Sequence, residues 1–207
     1  MIDGDTIEIN GSSYRLLGIN TPEKGEKYYT EAKQFLEQEI LNKTVKLIYT
    51  QQRKDKYFRD LIYVFLENEN INAKIIENGF ANIYYPSEKD QYYPQLYSSW
   101  KNCLEKNINL CEKSKDICSD CIKIREIDKK QDFVIFENVC SFNCSLKEWT
   151  IKDEGRKKYV FDSFILASKE NINITASDFK EDYVWTESGD TLFLRDNDGK
   201  LVSWKGV

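Results

Sequence analysis

The stretches Ile2-Asp3-Gly4-Asp5-Thr6, Arg15-Leu16-Leu17-Gly18-Ile19-Asn20-Thr21-Pro22-Glu23 and Asp55-Lys56-Tyr57-Phe58-Arg59 follow one another near the start of the chain. Together they supply two aspartates on one short strand, a further acid just past a Thr-Pro turn, and two arginines. These groups can hold a divalent cation and a phosphodiester in one place, because hard cations take oxygen ligands and guanidinium groups stabilise charge on phosphoryl oxygens.

Patterning around these stretches reads as a small barrel. Ile7 and Ile9 share one face of a strand over residues 2–9, Asn10-Gly11 makes a hairpin turn, and residues 14–19 form the returning strand. Pro22 ends that strand and leaves Glu23 projecting from a loop. Thr30 opens a helix with Ala32, Phe35, Leu36 and Ile40 on one face. Residues 44–50 and 60–66, rich in Val, Ile, Leu and Tyr, read as strands. Asn72 is placed to cap a short helix ending at Gly79, and residues 80–85 form an apolar-aromatic segment. A last helix over 92–106 turns Leu96, Trp100, Cys103 and Leu104 inward. Five strands with helices between and after them suit a small closed barrel.

Hydrophobic residues at 41%, of which aromatics are a large part, supply apolar surface for real cores despite 31% charged residues. A length of 207 residues suits two small domains. Residues 1–115 carry 16 basic and 17 acidic side chains, and residues 116–207 carry 14 and 18. Neither half has the broad basic footprint of a protein that coats nucleic acid, so any such binding should be local. No apolar run approaches the roughly 18 residues that a membrane-spanning helix needs. The chain has no histidine, which removes the commonest general base and the commonest transition-metal ligand. Its chemistry must run on carboxylates, arginines, tyrosines or cysteines.

The three ordered motifs resemble the staphylococcal (thermonuclease) nuclease family over roughly residues 1–115. That resemblance implies an OB-fold nuclease barrel of α+β type, with its substrate at the rim. It also implies one Ca2+ ion held by Asp5, by Asn20 where the family carries aspartate, and by the backbone carbonyl of Thr21. Glu23 matches the general base or water-orienting carboxylate, and Arg15 and Arg59 match the phosphate clamps. Tyr57 and either Tyr84 or Tyr85 match the tyrosines presented to the nucleotide. The expected substrate is DNA, with RNA as a further candidate. The family usually has more strand ahead of the first motif, so the N-terminus reads as truncated.

Residues 111–130 shift in composition to Cys, Ser, Asp and Lys without a periodic apolar pattern and read as a linker, with 116–121 as its cysteine-rich centre between domains at 1–115 and 122–207. Beyond it, residues 132–138, 149–152, 158–161, 172–174, 191–195 and 201–204 are short strand-like runs separated by Gly, Asn and Asp turns, with little sign of helix. The segments Phe133-Val134-Ile135-Phe136-Glu137-Asn138, Leu146-Lys147-Glu148-Trp149-Thr150-Ile151 and Gly189-Asp190-Thr191-Leu192-Phe193-Leu194-Arg195-Asp196-Asn197-Asp198-Gly199 resemble a lamin-tail domain, an immunoglobulin-like β-sandwich, over roughly residues 122–207. The whole chain is then mainly β with helices.

Cys103, Cys111, Cys118, Cys121, Cys140 and Cys144 cluster at the domain junction. The spacing of the last four approximates a thiolate Zn2+ site, an even number of cysteines also suits disulfides, and Cys140 and Cys144 are close enough for a small loop staple. Bridges point to an extracellular or cell-surface location. Two functional classes follow: a calcium-dependent nuclease with a tethering or binding sandwich, or a non-catalytic nucleic-acid-binding module on a nuclease-like barrel. Loss of Glu23 or an arginine would mark the second, and all three are present.

Overall fold

The computed structural model describes every residue except Lys56, 86–88, 187–189 and Val207, and the side chain of Gln52. Lys56 of the third motif and Gly189 of the lamin-tail resemblance therefore lie outside the described residues. The chain divides into two compact units, Met1–Cys111 and Glu112–Val207.

The first unit runs β1 (Thr6–Ile9), β2 (Ser12–Leu16), β3 (Gly18–Asn20), α1 (Tyr29–Ile40), β4 (Lys46–Lys54), β5 (Asp60–Leu66), β6 (Glu69–Asn70), α2 (Ile71–Glu77), β7 (Asn82–Tyr84) and α3 (Tyr93–Lys106), ending in a 3-10 turn at Asn109–Cys111. Asn10 and Gly11, at φ 49° and 78°, make the two-residue turn that pairs Ile9 with Ser12 and Thr6 with Arg15. The sheet order is β1-β2-β5-β4, with β2 parallel to β5 and β6 on the end of β5. No pairing among the described residues closes this sheet, which corrects the expectation of a closed barrel. The reason lies at Gly18, whose φ of 80° breaks the returning strand in two, so that β3 pairs with β7 in a ribbon of its own. A Cβ at Gly18 would also meet Leu96 Cδ1 at 2.3 Å, so only glycine fits the break.

Helix α2 lies against β5, β3, α1 and α3, and the helices bury Ala32, Leu36, Ile75, Ile76, Leu96 and Trp100 while Ile62 and Ile19 are buried on the strands. Two local expectations change. Asn70, not Asn72, caps α2 by accepting the Ala73 N–H. Asn72 is fully buried: its Oδ1 accepts from the Val64 N–H at 3.0 Å while its Nδ2 donates to the Leu17 carbonyl at 2.8 Å, tying α2 to β5 and to the β2–β3 break. Thr30 is likewise not a cap, since α1 starts one residue earlier behind Tyr28 in a left-handed conformation.

The second unit contains β8 (Ile122–Asp128), β9 (Phe133–Asn138), β10 (Cys144–Ser145), β11 (Thr150–Lys152), β12 (Lys158–Val160), β13 (Ile165–Leu166), β14 (Asn171–Thr175), α4 (Ala176–Phe179), β15 (Thr191–Arg195) and β16 (Leu201–Gly206). Its sheets are β12-β11-β15-β16 and β14-β9-β8, with β10 and β13 as a short ribbon. Ile151, Leu192 and Leu194 from one sheet, Val134, Phe136 and Ile174 from the other, and Trp149 just ahead of β11 share one core, as in a β-sandwich. Strand β8 lies where the sequence reads as linker, because its alternation is masked by charged side chains and by an irregularity between Ile124 and Glu126. The short α4 carries a capping box between Thr175 and Asp178.

All six cysteines pair. Cys103 joins Cys111 in the first unit, and Cys118 joins Cys144 and Cys121 joins Cys140 in the second. The thiolates of the Zn2+ alternative are thus used in bridges, and Cys140 and Cys144 staple to partners across the fold rather than to each other. Cys118 and Cys121 sit in the sandwich core, so residues 116–121 are part of the second unit.

Candidate functional site

Asp3 and Asp5 sit in a turn leading into β1 rather than on the strand, because the N–H groups of Ile2 and Asp3 both fold back onto the Thr6 carbonyl. Gly4 permits this turn: a Cβ there would lie 2.8 Å from the Cβ of Ala32 on α1 and 3.0 Å from the Thr21 side chain. The close approach brings Asp5 against Thr21. The Thr21 N–H donates to Asp5 Oδ2 at 2.9 Å and its hydroxyl donates to the same atom at 3.1 Å.

The other oxygen of Asp5 receives Arg15 Nη1 in an ion pair and the Thr6 hydroxyl at 3.1 Å. Arg15 reaches it because the hairpin register sets Arg15 opposite Thr6. The second amino group of Arg15 donates to Asn20 Oδ1 at 3.0 Å and to the Ile19 carbonyl at 3.3 Å. Asp5, Arg15, Asn20 and Thr21 are all buried. Burial alone would raise the Asp5 carboxyl, but the Arg15 charge and the bonds it accepts hold it below the ordinary value. Asp3, half-buried beside a second carboxylate, is pushed up by burial and then by the charge of Asp5.

Arg59 joins the same network from the end of the β4–β5 hairpin. Asp55 accepts from the Arg59 N–H at 3.0 Å and from Arg59 Nε at 2.7 Å, which leaves Nη1 to donate to the Thr6 hydroxyl at 3.4 Å. A continuous chain of bonds thus runs Arg59, Thr6, Asp5, Arg15, Asn20. Burial opposes the Asp55 charge, and its bonds to Arg59 outweigh that and lower its pKa. Thr6, a member of this chain, and Asp55, which holds Arg59 in it, are residues to which sequence reasoning assigned no role, although both stand inside the motifs.

Glu23 is half-buried in the loop after Pro22, where its N–H donates to the Glu26 carboxylate at 2.9 Å. Among the tyrosines, the Tyr84 ring lies 5.9 Å from the Arg15 guanidinium carbon, and the Tyr57 ring lies 5.4 Å from that of Arg59. Tyr85 does not join them. It is buried, with its hydroxyl 2.8 Å from that of Tyr63 and 3.2 Å from Asp90 Oδ1, and burial raises the pKa of both phenols.

The oxygens of Asp5 and Asn20 are the ligand type that hard cations take, and both are engaged by the two amino groups of Arg15. Only one of the pair is charged, and no group of three or more His, Cys, Asp or Glu able to hold an ion occurs among the described residues.

Residues 13–113 match the family model described as staphylococcal nuclease homologue, and residues 119–207 match the lamin tail domain. A thermonuclease of Staphylococcus intermedius is 32% identical over 123 residues, covering 55% of this chain and 73% of that protein. A thermonuclease of Staphylococcus hyicus is 32% identical over 120 residues, covering 52% and 71%. An uncharacterized endonuclease of Haemophilus influenzae is 30% identical over 113 residues, covering 52% and 61%.

Proposed function

Because the chain belongs to the staphylococcal nuclease family, we propose that its first unit is a calcium-dependent phosphodiesterase acting on DNA, and on RNA where single strands reach the site. The observation that carries this reading is the chain of bonds joining Arg59, Thr6, Asp5, Arg15 and Asn20. It gathers two fixed positive charges and two oxygen donors into one polar cluster, buried except at the half-exposed Arg59, as phosphoryl transfer requires.

Asp5, Asn20 and the Thr21 carbonyl would hold one Ca2+ ion, which when bound supplies a positive charge against the phosphate. The remaining work belongs to side chains. Arg15 and Arg59 are planar and charged at any working pH, so each binds phosphoryl oxygens on which charge builds as water attacks. Glu23 orients that water and takes its proton. Water adds to phosphorus as the P–O5' bond breaks, so the 5'-oxygen leaves as a hydroxyl and the phosphate stays on the 3' end. Tyr84 and Tyr57 stand beside the two arginines, where rings flank a phosphate with surfaces for the adjoining bases.

The second unit is an accessory sandwich that tethers or orients the first. Three disulfides favour an oxidising compartment, extracellular or at the cell surface. No helix among the described residues is long and apolar enough to cross a membrane. Digestion of a plasmid and of an oligoribonucleotide, each with calcium and with chelator, tests the activity. Cleavage that needs calcium supports it; no cleavage of any substrate by folded protein rejects it.

A further inference from the structure

The hairpin joining β4 to β5 ends in a feature that the cluster above does not use. Phe58 is 82% exposed, the most exposed of the large apolar side chains among the described residues, and it holds a left-handed backbone at φ 62°. An aromatic residue in that region is strained and gains nothing from packing there. The tip is nevertheless well tied. Asp55 accepts from the N–H groups of Tyr57 and Arg59, the Phe58 N–H donates to the Asp55 carbonyl at 3.0 Å, and Lys54 Nζ donates to the Phe58 carbonyl at 3.2 Å. The ring is thus held out into solvent by a built turn, one residue from Arg59. Earlier on β4 the Arg53 guanidinium lies 4.2 Å from the ring centre of Tyr49, which is itself 39% exposed.

Solvent-facing rings interleaved with cations suit single-stranded nucleic acid, whose unpaired bases offer apolar faces and whose backbone offers charge. A duplex hides those faces in its stack. Resting on the nuclease reading above, we propose that Phe58 is a base-stacking residue that engages an unpaired nucleobase next to the phosphate held by Arg59, and that it makes the protein discriminate single strands from duplex.

The test uses the full chain with chelator present, so that binding is read without cleavage, and follows the anisotropy of a fluorescein-labelled oligothymidylate, a matched abasic strand and a blunt duplex. Phe58→Gly is the informative variant because glycine adopts this φ without strain, so loss of fold does not confound the result. Phe58→Gly should weaken oligothymidylate binding about tenfold, within the range for one base on one ring, while binding of the abasic strand and the duplex stays as in the wild type. Phe58→Trp should restore the affinity, and its indole fluorescence should be quenched by the oligonucleotide. Equal oligothymidylate affinity for wild type and Phe58→Gly overturns the proposal, as does an equal loss on the abasic strand. If the wild type cleaves but Phe58→Gly binds as it does, this inference alone fails. If the wild type neither cleaves nor binds any strand, the nuclease reading fails with it.

Discussion

Arg15 and Asp5 form a buried ion pair, with Arg15 8% and Asp5 4% exposed, and each is also bonded to a second element of the first unit. The pair therefore has a structural share as well as a chemical one. Removing Arg15 leaves a buried carboxylate without its charge partner, which costs on the order of 3–5 kcal/mol.

Arg59 offers the cleaner test of the chemistry, because it is half-buried and its loss leaves Asp55 near water. Arg59→Ala should lower turnover about a hundredfold or more with the melting temperature little changed. Arg15→Ala should lower both. Steady-state hydrolysis of a labelled oligonucleotide alongside thermal unfolding separates the two outcomes, and a folded Arg59→Ala protein at full activity would show the site to be misassigned.

Asn20 accepts from Arg15 at 3.0 Å, and Asn20→Asp would set a second carboxylate against the same guanidinium and beside Asp5. Calcium affinity rises with the number of anionic ligands. The variant should reach half-maximal activity at about tenfold lower calcium, equivalent to ~1.4 kcal/mol. A calcium titration of both proteins decides the point, and an unmoved or higher midpoint rejects Asn20 as a ligand.

No disulfide crosses from one unit to the other. Truncation after Lys115 should therefore leave a folded protein with one intact bridge and nearly full specific activity on a short oligonucleotide. Intact mass before and after reduction counts the bridge. A folded but inactive fragment would give the sandwich a part in the site.

Asp153 in the second unit is buried, and burial followed by the charge of Asp190 raises its pKa to about 7. Between its unfolded value near 3.8 and about 7 the native state holds the proton that the unfolded state has released. Stability of this unit should accordingly fall as pH rises through that window. Asp153→Asn keeps an oxygen for the Lys157 N–H, bonded at 2.9 Å, and should flatten the fall. Denaturant unfolding at about pH 4.5 and about pH 7.5, roughly the two ends of the window, measures it; an equal loss of stability between the two in variant and wild type would exclude Asp153 as the cause.

Much of this was legible from residue order. The Asn10-Gly11 turn requires positive φ at both positions, so the hairpin and the facing of Thr6 and Arg15 follow from two residues. Asn70 and Asn72 show the limit: both are plausible caps, and only the packing of α2 against β5 makes Asn72 a buried bridge between three backbone segments. Tyr84 and Tyr85 could not be told apart because neighbours on an extended segment face opposite ways, and the choice needs the pairing of β7 with β3. Six cysteines allow fifteen pairings, and only the folded units select among them, the first joining Cys103 to Cys111 and the sandwich joining the other four.

The two-residue turn at Asn10-Gly11 also acts as a length gauge. Side chains on a strand alternate with a period of two, so one residue inserted between Ile9 and Ser12 would either be extruded as a bulge or slide β2 by one step along β1. In the second case Arg15 would exchange faces with Leu16, burying an aliphatic chain against Asp5 and turning the guanidinium away from it. Natural length variation in a protein built this way should gather in the loop after Pro22 and be all but absent from this turn.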